Sequence, residues 1–499
     1  MNEVNFVLLP VLLFLLLLLG TGFYSHRRLK KSQDFQKEYF TASRSLGGIV
    51  LAFTLVATYG SVSSFVSGPG VAWDLGLGWV AFAAPQIVTG FLLLGIAGKK
   101  LAVLARKTDA LTIIDILRAR YHSSVLCILL SLVLLVFFTA MVVGQFTGGA
   151  QIFAAITGYD YQTGLLVFAM VTVIYTSSGF RAVVLTDAVC AVLMLTGMFI
   201  LGWCILDEGG GLEGIMQSLS TIRPGPDGQS ALFKPDSGGA LPYALLFSAW
   251  LLVGFCTVGL PQSMVRCLSY RNSADLSQAM VIATIICGAL MIGMTLLGVL
   301  SRGVIATMPA GGTDAVLPQL IVHYMNPWAA GLTIIGPLAA TMSTVSSLLI
   351  AAASAVTHDL FLELKGRVKL PVPQRRDAYR LRTTGITLLL GGLAIVLALN
   401  PPSIVVWINL FAFGGLESAF MWPLILGLFW SRMNARGALW GIVMGLGLYT
   451  LAMATGFSFR GWHNILIGTA AGLLFSILGA CTGKSTSEQT LRLFFPEKF

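Results

Sequence analysis

Runs of about 20 apolar residues recur along the whole chain, and they restrict its possible folds more than any other feature. Each run is long enough to cross the hydrocarbon core of a bilayer as a helix. Only 10% of the 499 residues are charged and 56% are hydrophobic, whereas about a quarter of a soluble domain is charged. The sequence therefore predicts an all-α, polytopic membrane protein.

The apolar runs predict thirteen membrane-spanning helices in a single integral membrane domain that covers residues 1–499. Their approximate bounds are 5–24, 47–70, 76–98, 125–152, 162–178, 183–205, 241–260, 275–301, 328–356, 380–399, 403–430, 437–456 and 461–482.

Basic residues are divided unequally between the predicted loops. If the N-terminus lies outside, 27 of the 31 Lys and Arg residues fall inside, as the positive-inside rule requires. Glu3 precedes the first apolar run and HRRLKK follows it, which is the reverse of a signal peptide. We therefore expect a periplasmic N-terminus, a cytoplasmic C-terminus and an external segment at 206–240. The formal net charge of +10 then indicates membrane topology rather than a nucleic-acid partner.

Motifs of several other classes of protein are absent from the sequence. The seven cysteines form no CxxC pair, and all five histidines lie in loops or at the ends of predicted spans. There is no Walker A motif and no Ser-His-Asp or zinc-ligand spacing. We therefore predict that the chain is neither an enzyme nor an ATP-driven pump, and no obligate protein partner is indicated. The lack of a histidine in mid-membrane favours Na⁺ over H⁺ coupling.

Two predicted spans carry helix-breaking residues in the manner of transporter binding sites. The second span contains ATYGSVSSFVSGPG at residues 57–70, and the seventh has Gly254 and Gly259 before Pro261. Interrupted helices in corresponding positions of two halves indicate a substrate or ion site. Spans 2–6 and 7–11 each hold five helices, so the second set enters the membrane from the opposite side. This arrangement predicts an inverted repeat.

A third segment, AATMSTVSS at residues 339–347, places hydroxyl groups among small residues in the ninth span. Ser343, Thr344 and Ser347 lie on neighbouring helical faces, with Ala340 on the same side. Two hydroxyls and the carbonyls of an unwound helix suffice to bind a dehydrated Na⁺ without a carboxylate. The alternative is that these hydroxyls only bond to preceding carbonyls of their own helix or join helices together.

Long stretches of the chain resemble the sodium:solute symporter family over essentially its whole length. They include EYFTASRSLGGIVLAFTLVATYGSVSSFVSGPG, GLPQSMVRCLSY, AATMSTVSSLL and LNPPSIVVWINLFAFGGLESAFMWPLILGLFW. The resemblance implies a leucine-transporter-type five-plus-five inverted repeat, with repeats at 47–205 and 241–430. Extra helices would flank the repeats at 5–24 and 437–482.

The resemblance also implies a sodium site between spans 2 and 9. On this chain its ligands would be backbone carbonyls and hydroxyls of Ala57, Gly60, Ala340, Ser343 and Thr344. Tyr59 stands where several relatives have an acidic residue, and Cys190 replaces a glutamine of the family pattern, which weakens the case for a second ion site.

FGGLE and the later NARGAL resemble the pantothenate branch of the family. The implied activity is sodium-coupled uptake of pantothenate by alternating access across the bacterial inner membrane. A symporter of another small carboxylate, an amino acid or a sugar is the alternative, and a sensor or channel on the same scaffold is a third possibility.

Two acidic residues, Asp187 and Glu417, fall within predicted spans. Carboxylates inside a membrane are costly and usually functional, so each is a candidate for ion coupling or gating. A salt bridge for Asp187 and a structural contact with freed backbone groups for Glu417 are the alternatives. The breaks and the facing side of span 4 nominate five substrate contacts, with simple packing as the alternative for each: Tyr59, Ser63, Gln145, Phe247 and Trp250.

Overall fold

The computed structural model describes residues 3–31, 35–225, 228–365, 376–400 and 405–498, and these residues form helices and connecting loops with no named strand. Among the described residues, ten helices are long and apolar enough to cross a membrane: Val7–Ser25, Leu77–Thr108, Ser124–Ala155, Phe180–Glu208, Ser273–Ser301, Pro327–Leu364, Leu381–Ala398, Val405–Phe429, Ala435–Thr455 and Ile465–Thr482.

Two bent helix pairs and one shorter apolar helix complete the set. The pairs are Gly48–Tyr59 with Ser63–Leu75 and Tyr243–Gly259 with Pro261–Leu268, and the shorter helix is Tyr161–Thr176. Each of these elements overlaps one of the thirteen predicted spans, and several extend beyond the predicted bounds. The prediction of an all-helical, polytopic chain is confirmed. Peripheral helices lie between and after them at Phe35–Thr41, Ile113–Tyr121, Gly211–Thr221, Val316–Tyr324 and Glu488–Phe494.

The first broken helix comprises residues 48–75 and bends by 70°. Its regular part ends at Tyr59, and Gly60 adopts an extended conformation with φ −65° and ψ 124°. A wide helical turn follows at Ser63–Ser67 before the regular helix Gly68–Leu75 begins. The interruption lies at Gly60 and Ser61, in the middle of the segment.

The Gly-Pro-Gly sequence begins the second half of this helix, where close packing requires small residues. A Cβ atom on Gly70 would lie 2.0 Å from the carbonyl oxygen of Thr313, in the loop 302–326. A Cβ atom on Gly298 would lie 2.2 Å from the carbonyl oxygen of Pro69. Neither glycine can be replaced without moving the backbone, because backbone atoms of a neighbouring segment occupy the space.

The second broken helix comprises residues 243–268 and bends by 46°. Its first part ends at Val253, and Gly254 has φ −113° and ψ −88°. A tight helical segment at Phe255–Gly259 follows, and Pro261 starts the last part, where a missing N–H costs nothing. Arg266 lies in this last part and is 1% exposed. The predicted end of the seventh span at residue 260 is therefore too early, because the helix continues beyond Pro261.

The hydroxyl helix, Pro327–Ser354, lies at the centre of the molecule. The most apolar 18-residue window of its span is 94% buried, the highest value among the candidate spans of the described chain. It packs against the helices Ser124–Thr157 and Phe180–Glu208 and against the first helix of the chain. Small residues such as Ala339, Ala340 and Ser343 allow this close approach.

Candidate sodium and substrate site

The five predicted sodium ligands meet where the first broken helix crosses the hydroxyl helix. The Ser343 hydroxyl donates to the carbonyl oxygens of Ala57 at 2.8 Å and Ala340 at 3.1 Å. The Thr344 hydroxyl lies 2.8 Å from the carbonyl oxygen of Gly60 and 2.9 Å from that of Ala340. Two hydroxyl oxygens and three carbonyl oxygens are thus collected at one buried point.

The carbonyls at this point are available because the helix is interrupted after Tyr59. In an unbroken helix the carbonyl of Gly60 would accept a hydrogen bond from the N–H of Ser64, but that N–H donates to the carbonyl oxygen of Ser61 at 3.0 Å. The N–H of Val62 would likewise donate to the carbonyl of Thr58 in an unbroken helix. That N–H instead donates to the side-chain oxygen of Gln145 at 3.0 Å. The Gln145 side chain is fully buried and stabilises the start of the outgoing half of the broken helix. Its role here is to position the break.

A central cavity of about 60 Å³ lies beside the break. Of the five residues nominated as substrate contacts, Tyr59 and Ser63 line it and Gln145 does not. The Tyr59 hydroxyl donates to the carbonyl oxygen of Val253 at 3.1 Å, which joins the two broken helices. The volume holds only a few water molecules.

Phe247 and Trp250 do not reach this cavity. They are 57% and 52% exposed, and neither lines it. The Trp250 indole donates to the carbonyl oxygen of Ala81 at 3.1 Å. Both precede the break at Gly254, and their helical phase directs them to the surface of the bundle.

Several lining residues of the central cavity were not anticipated from the sequence. Asn409 donates to the Ser63 hydroxyl and lies 3.4 Å from the Ser61 hydroxyl, and its side-chain oxygen is buried without a partner among the described residues. An amide inside an apolar run was the available signal. Aromatic walls come from Trp79 and Phe82, whose stacked rings lie 4.3 Å apart.

Asp187 pairs with Arg266 inside the bundle. The Arg266 guanidinium lies 3.3 Å from one carboxylate oxygen, and the two side chains are 1% and 0% exposed. The same oxygen accepts a hydrogen bond from the Thr54 hydroxyl at 2.5 Å. Arg266 also donates to the Ser347 hydroxyl at 2.6 Å, one helical turn from Thr344. The ion pair therefore connects both broken helices, the helix Phe180–Glu208 and the hydroxyl helix.

Glu417 is fully buried in the helix Val405–Phe429, and neither of its carboxyl oxygens has a hydrogen-bond partner among the described residues. The expected hydrogen bonds from freed backbone groups are therefore not formed. The helix packs against the tight helical segment Phe255–Gly259 of the second broken helix, where a Cβ on Gly259 would lie 3.2 Å from the Cα of Glu417. An unpaired charge here would be costly.

The chain is similar over most of its length to known proteins of one transporter family. The profile of the sodium:solute symporter family matches residues 39–445. The sodium/pantothenate symporter of Escherichia coli is 40% identical over 97% of this chain and 98% of its own length. The sodium/pantothenate symporter of Haemophilus influenzae is 39% identical over 97% of this chain and 98% of its own length.

Among solved structures, a substrate-bound, outward-open Na⁺-coupled sialic acid symporter superposes with a TM-score of 0.79. That structure is 19% identical and covers 97% of this chain and 99% of its own, and the likeness confirms the leucine-transporter-type fold. The family profile and the identity over nearly the full length agree with the broken helices described above. The chain belongs to the sodium:solute symporter family.

Proposed function

We propose that this chain is a secondary active transporter that takes up pantothenate together with Na⁺. The observation that carries this proposal is the identity of 40% and 39% with two sodium/pantothenate symporters over nearly the full length of each chain. Two broken helices beside a buried cluster of oxygen atoms support the ion-coupled mechanism. Transport by alternating access requires no enzymatic step.

Sodium would bind to the carbonyls of Ala57, Gly60 and Ala340 and to the hydroxyls of Ser343 and Thr344. This proposal is supported by the close approach of the two hydroxyls to the three carbonyl oxygens: each carbonyl lies within 3.1 Å of one hydroxyl, and that of Ala340 lies within this distance of both. The ligands come from two helices that belong to different repeats, proposed at 47–205 and 241–430. Ion binding would therefore fix the relative position of the two repeats.

The substrate would bind at the central cavity, in contact with Tyr59, Ser63 and Asn409. Pantothenate is much larger than the few water molecules that 60 Å³ can hold, so the cavity must widen during the cycle. Gln145 would position the break, and Asp187 with Arg266 would gate it from one end. Phe247 and Trp250 are not part of this proposal because they lie outside the cavity.

The energy available depends on the number of ions that accompany each anion. One Na⁺ and one pantothenate anion form a neutral pair, on which the membrane potential does no work. A tenfold Na⁺ gradient supplies about 1.4 kcal/mol, which limits accumulation to about tenfold. A second Na⁺ would add about 1.4 kcal/mol from the same gradient and, because the complex would then carry one net positive charge, about 2.3 kcal/mol from a potential of about 100 mV.

Excess unlabelled pantothenate is expected to block sodium-dependent uptake of labelled pantothenate into membrane vesicles, whereas proline and glucose are expected to have no effect. The reason is the high identity with two sodium/pantothenate symporters. Vesicles without the protein serve as the control. Equal competition by proline would show that the substrate assignment is wrong.

The proposed orientation is a periplasmic N-terminus and a cytoplasmic C-terminus in a bacterial inner membrane. Gln217 lies exposed in the helix Gly211–Thr221, and Lys107 lies exposed at the end of the helix Leu77–Thr108. The proposed topology places Gln217 outside the membrane and Lys107 inside. In a cysteine-free background, an impermeant maleimide applied to intact cells should label Gln217→Cys and not Lys107→Cys. Labelling of Lys107→Cys and not of Gln217→Cys would show that the chain has the opposite orientation. Disrupted cells, in which both should react, provide the control.

A further inference from the structure

A second cavity lies outside the proposed transport site. It has a volume of about 370 Å³ and is lined by the helix Ser124–Thr157 and by the loop 302–326, which includes the helix Val316–Tyr324. We call it the loop cavity. Sites for small organic molecules usually occupy about 300–1,000 Å³, so the loop cavity has the size of a binding site, whereas the central cavity does not.

Three buried side-chain oxygens of residues that line the loop cavity have no hydrogen-bond partner among the described residues. They are a carboxylate oxygen of Asp314 and the amide oxygens of Gln151 and Gln319, and all three atoms are buried. Asp314 is only 9% exposed. A buried acceptor without a donor destabilises the folded chain. Three such acceptors around one cavity indicate a ligand that supplies hydrogen-bond donors.

The charges of the residues that line the loop cavity determine whether a cation or an anion would bind there. Asp314 forms no ion pair with a described lysine or arginine. Burial raises the pKa of its carboxyl group above the ordinary value. The side chain of Ser67 and the backbone of Val405 have a smaller effect and lower the pKa. The other titratable group in the cavity wall is His323, an exposed side chain whose Nδ1 lies 3.0 Å from the carbonyl oxygen of Gln319. A bound cation would neutralise the carboxylate, and an anion would be repelled.

We propose that the loop cavity binds a small organic cation, a primary ammonium joined to a compact apolar group. The ammonium has three donors, one for each of the unpartnered oxygens of Asp314, Gln151 and Gln319. The remaining wall is apolar and includes Ala155, Pro318 and Val322, which would contact the hydrocarbon part. Since pantothenate is an anion, this ligand is distinct from the transported substrate.

The loop that lines the cavity packs against the first broken helix. Thr313 precedes Asp314 and packs its backbone against Gly70 of the first broken helix. The carbonyl oxygen of Ile305, in the same loop, accepts a hydrogen bond from the Trp73 indole at 2.8 Å. The loop that forms the cavity is therefore fixed to the broken helix at two points.

Titration calorimetry of the purified full chain in detergent, with benzylammonium as the probe, tests the proposal. Benzyl alcohol and benzoate have the same ring with a neutral and an anionic group. Benzylammonium is expected to bind at least tenfold more tightly than either, and Asp314→Asn is expected to weaken it at least tenfold. Asp207→Asn removes an exposed carboxylate outside the cavity and should change nothing. Equal binding of the three probes, or unchanged binding by Asp314→Asn, would overturn the proposal.

A second variant makes the test independent of the folding of Asp314→Asn. Ala155→Phe places a ring in the loop cavity without altering a polar group. It is expected to abolish benzylammonium binding and to keep the thermal unfolding temperature and sodium-dependent pantothenate uptake. Unchanged benzylammonium affinity in Ala155→Phe would also overturn the proposal. Because uptake is measured separately, failure of the cation site and failure of the proposed transport function can be distinguished.

Discussion

Asp187→Asn is expected to destabilise the protein by about 3–5 kcal/mol, because it leaves the Arg266 guanidinium buried without its counter-charge. Both side chains are at most 1% exposed, so water cannot take the place of the lost carboxylate. The change should lower the thermal unfolding temperature of the purified protein sharply and abolish uptake. Arg266→Gln should have a similar effect, since it leaves Asp187 with only the Thr54 hydroxyl.

The double variant Asp187→Asn with Arg266→Gln distinguishes a charge pair from two independent contacts. Removing both charges should restore most of the lost stability, because neither variant side chain then buries an unpaired charge. Arg271→Gln is the matched control, since Arg271 pairs with Asp275 while 65% exposed. Its expected cost is below about 1 kcal/mol. Additive losses in the double variant would contradict the ion-pair explanation.

The spans and the breaks could be predicted because they depend on local sequence. Apolar runs of membrane length and a segment rich in Gly, Ala and Ser are visible without any tertiary information. The same holds for the hydroxyl groups of Ser343 and Thr344, because the helical period of 3.6 residues alone places them on one side of the helix. The structure brings these groups to the carbonyls of the first broken helix.

Contacts between distant segments could not be predicted. The basic side chain of Arg266 follows Pro261 by five residues, and sequence alone gives no sign that the chain continues as a helix inside the bundle. Its pairing with Asp187 depends on how two spans cross. Phe247 and Trp250 were nominated by their nearness to a break, but the helical phase of the preceding turn directs them outward. Gln145 was nominated as a substrate contact, yet it bonds to a backbone N–H.

Thr344→Ala and Ser343→Ala are each expected to raise the Na⁺ concentration for half-maximal uptake by roughly 5- to 150-fold. Each hydroxyl touches two carbonyl oxygens of the proposed sodium site. Loss of one buried polar ligand costs about 1–3 kcal/mol, which corresponds to this range. Uptake at saturating Na⁺ should fall less, because the ion can still bind when its concentration is raised. The measurement is initial pantothenate uptake as a function of Na⁺ concentration.

The control for these variants must be a buried hydroxyl of the same helix that lies away from the break. Ser61 is unsuitable, since it lines the central cavity and lies near Asn409. Thr341 is fully buried, and its hydroxyl bonds back to the carbonyl oxygen of Pro337 at 2.8 Å. Thr341→Ala should therefore leave the Na⁺ dependence unchanged. If both site variants insert correctly and keep the wild-type Na⁺ dependence, the coupling ion binds elsewhere, and the small residues of the first broken helix serve packing alone.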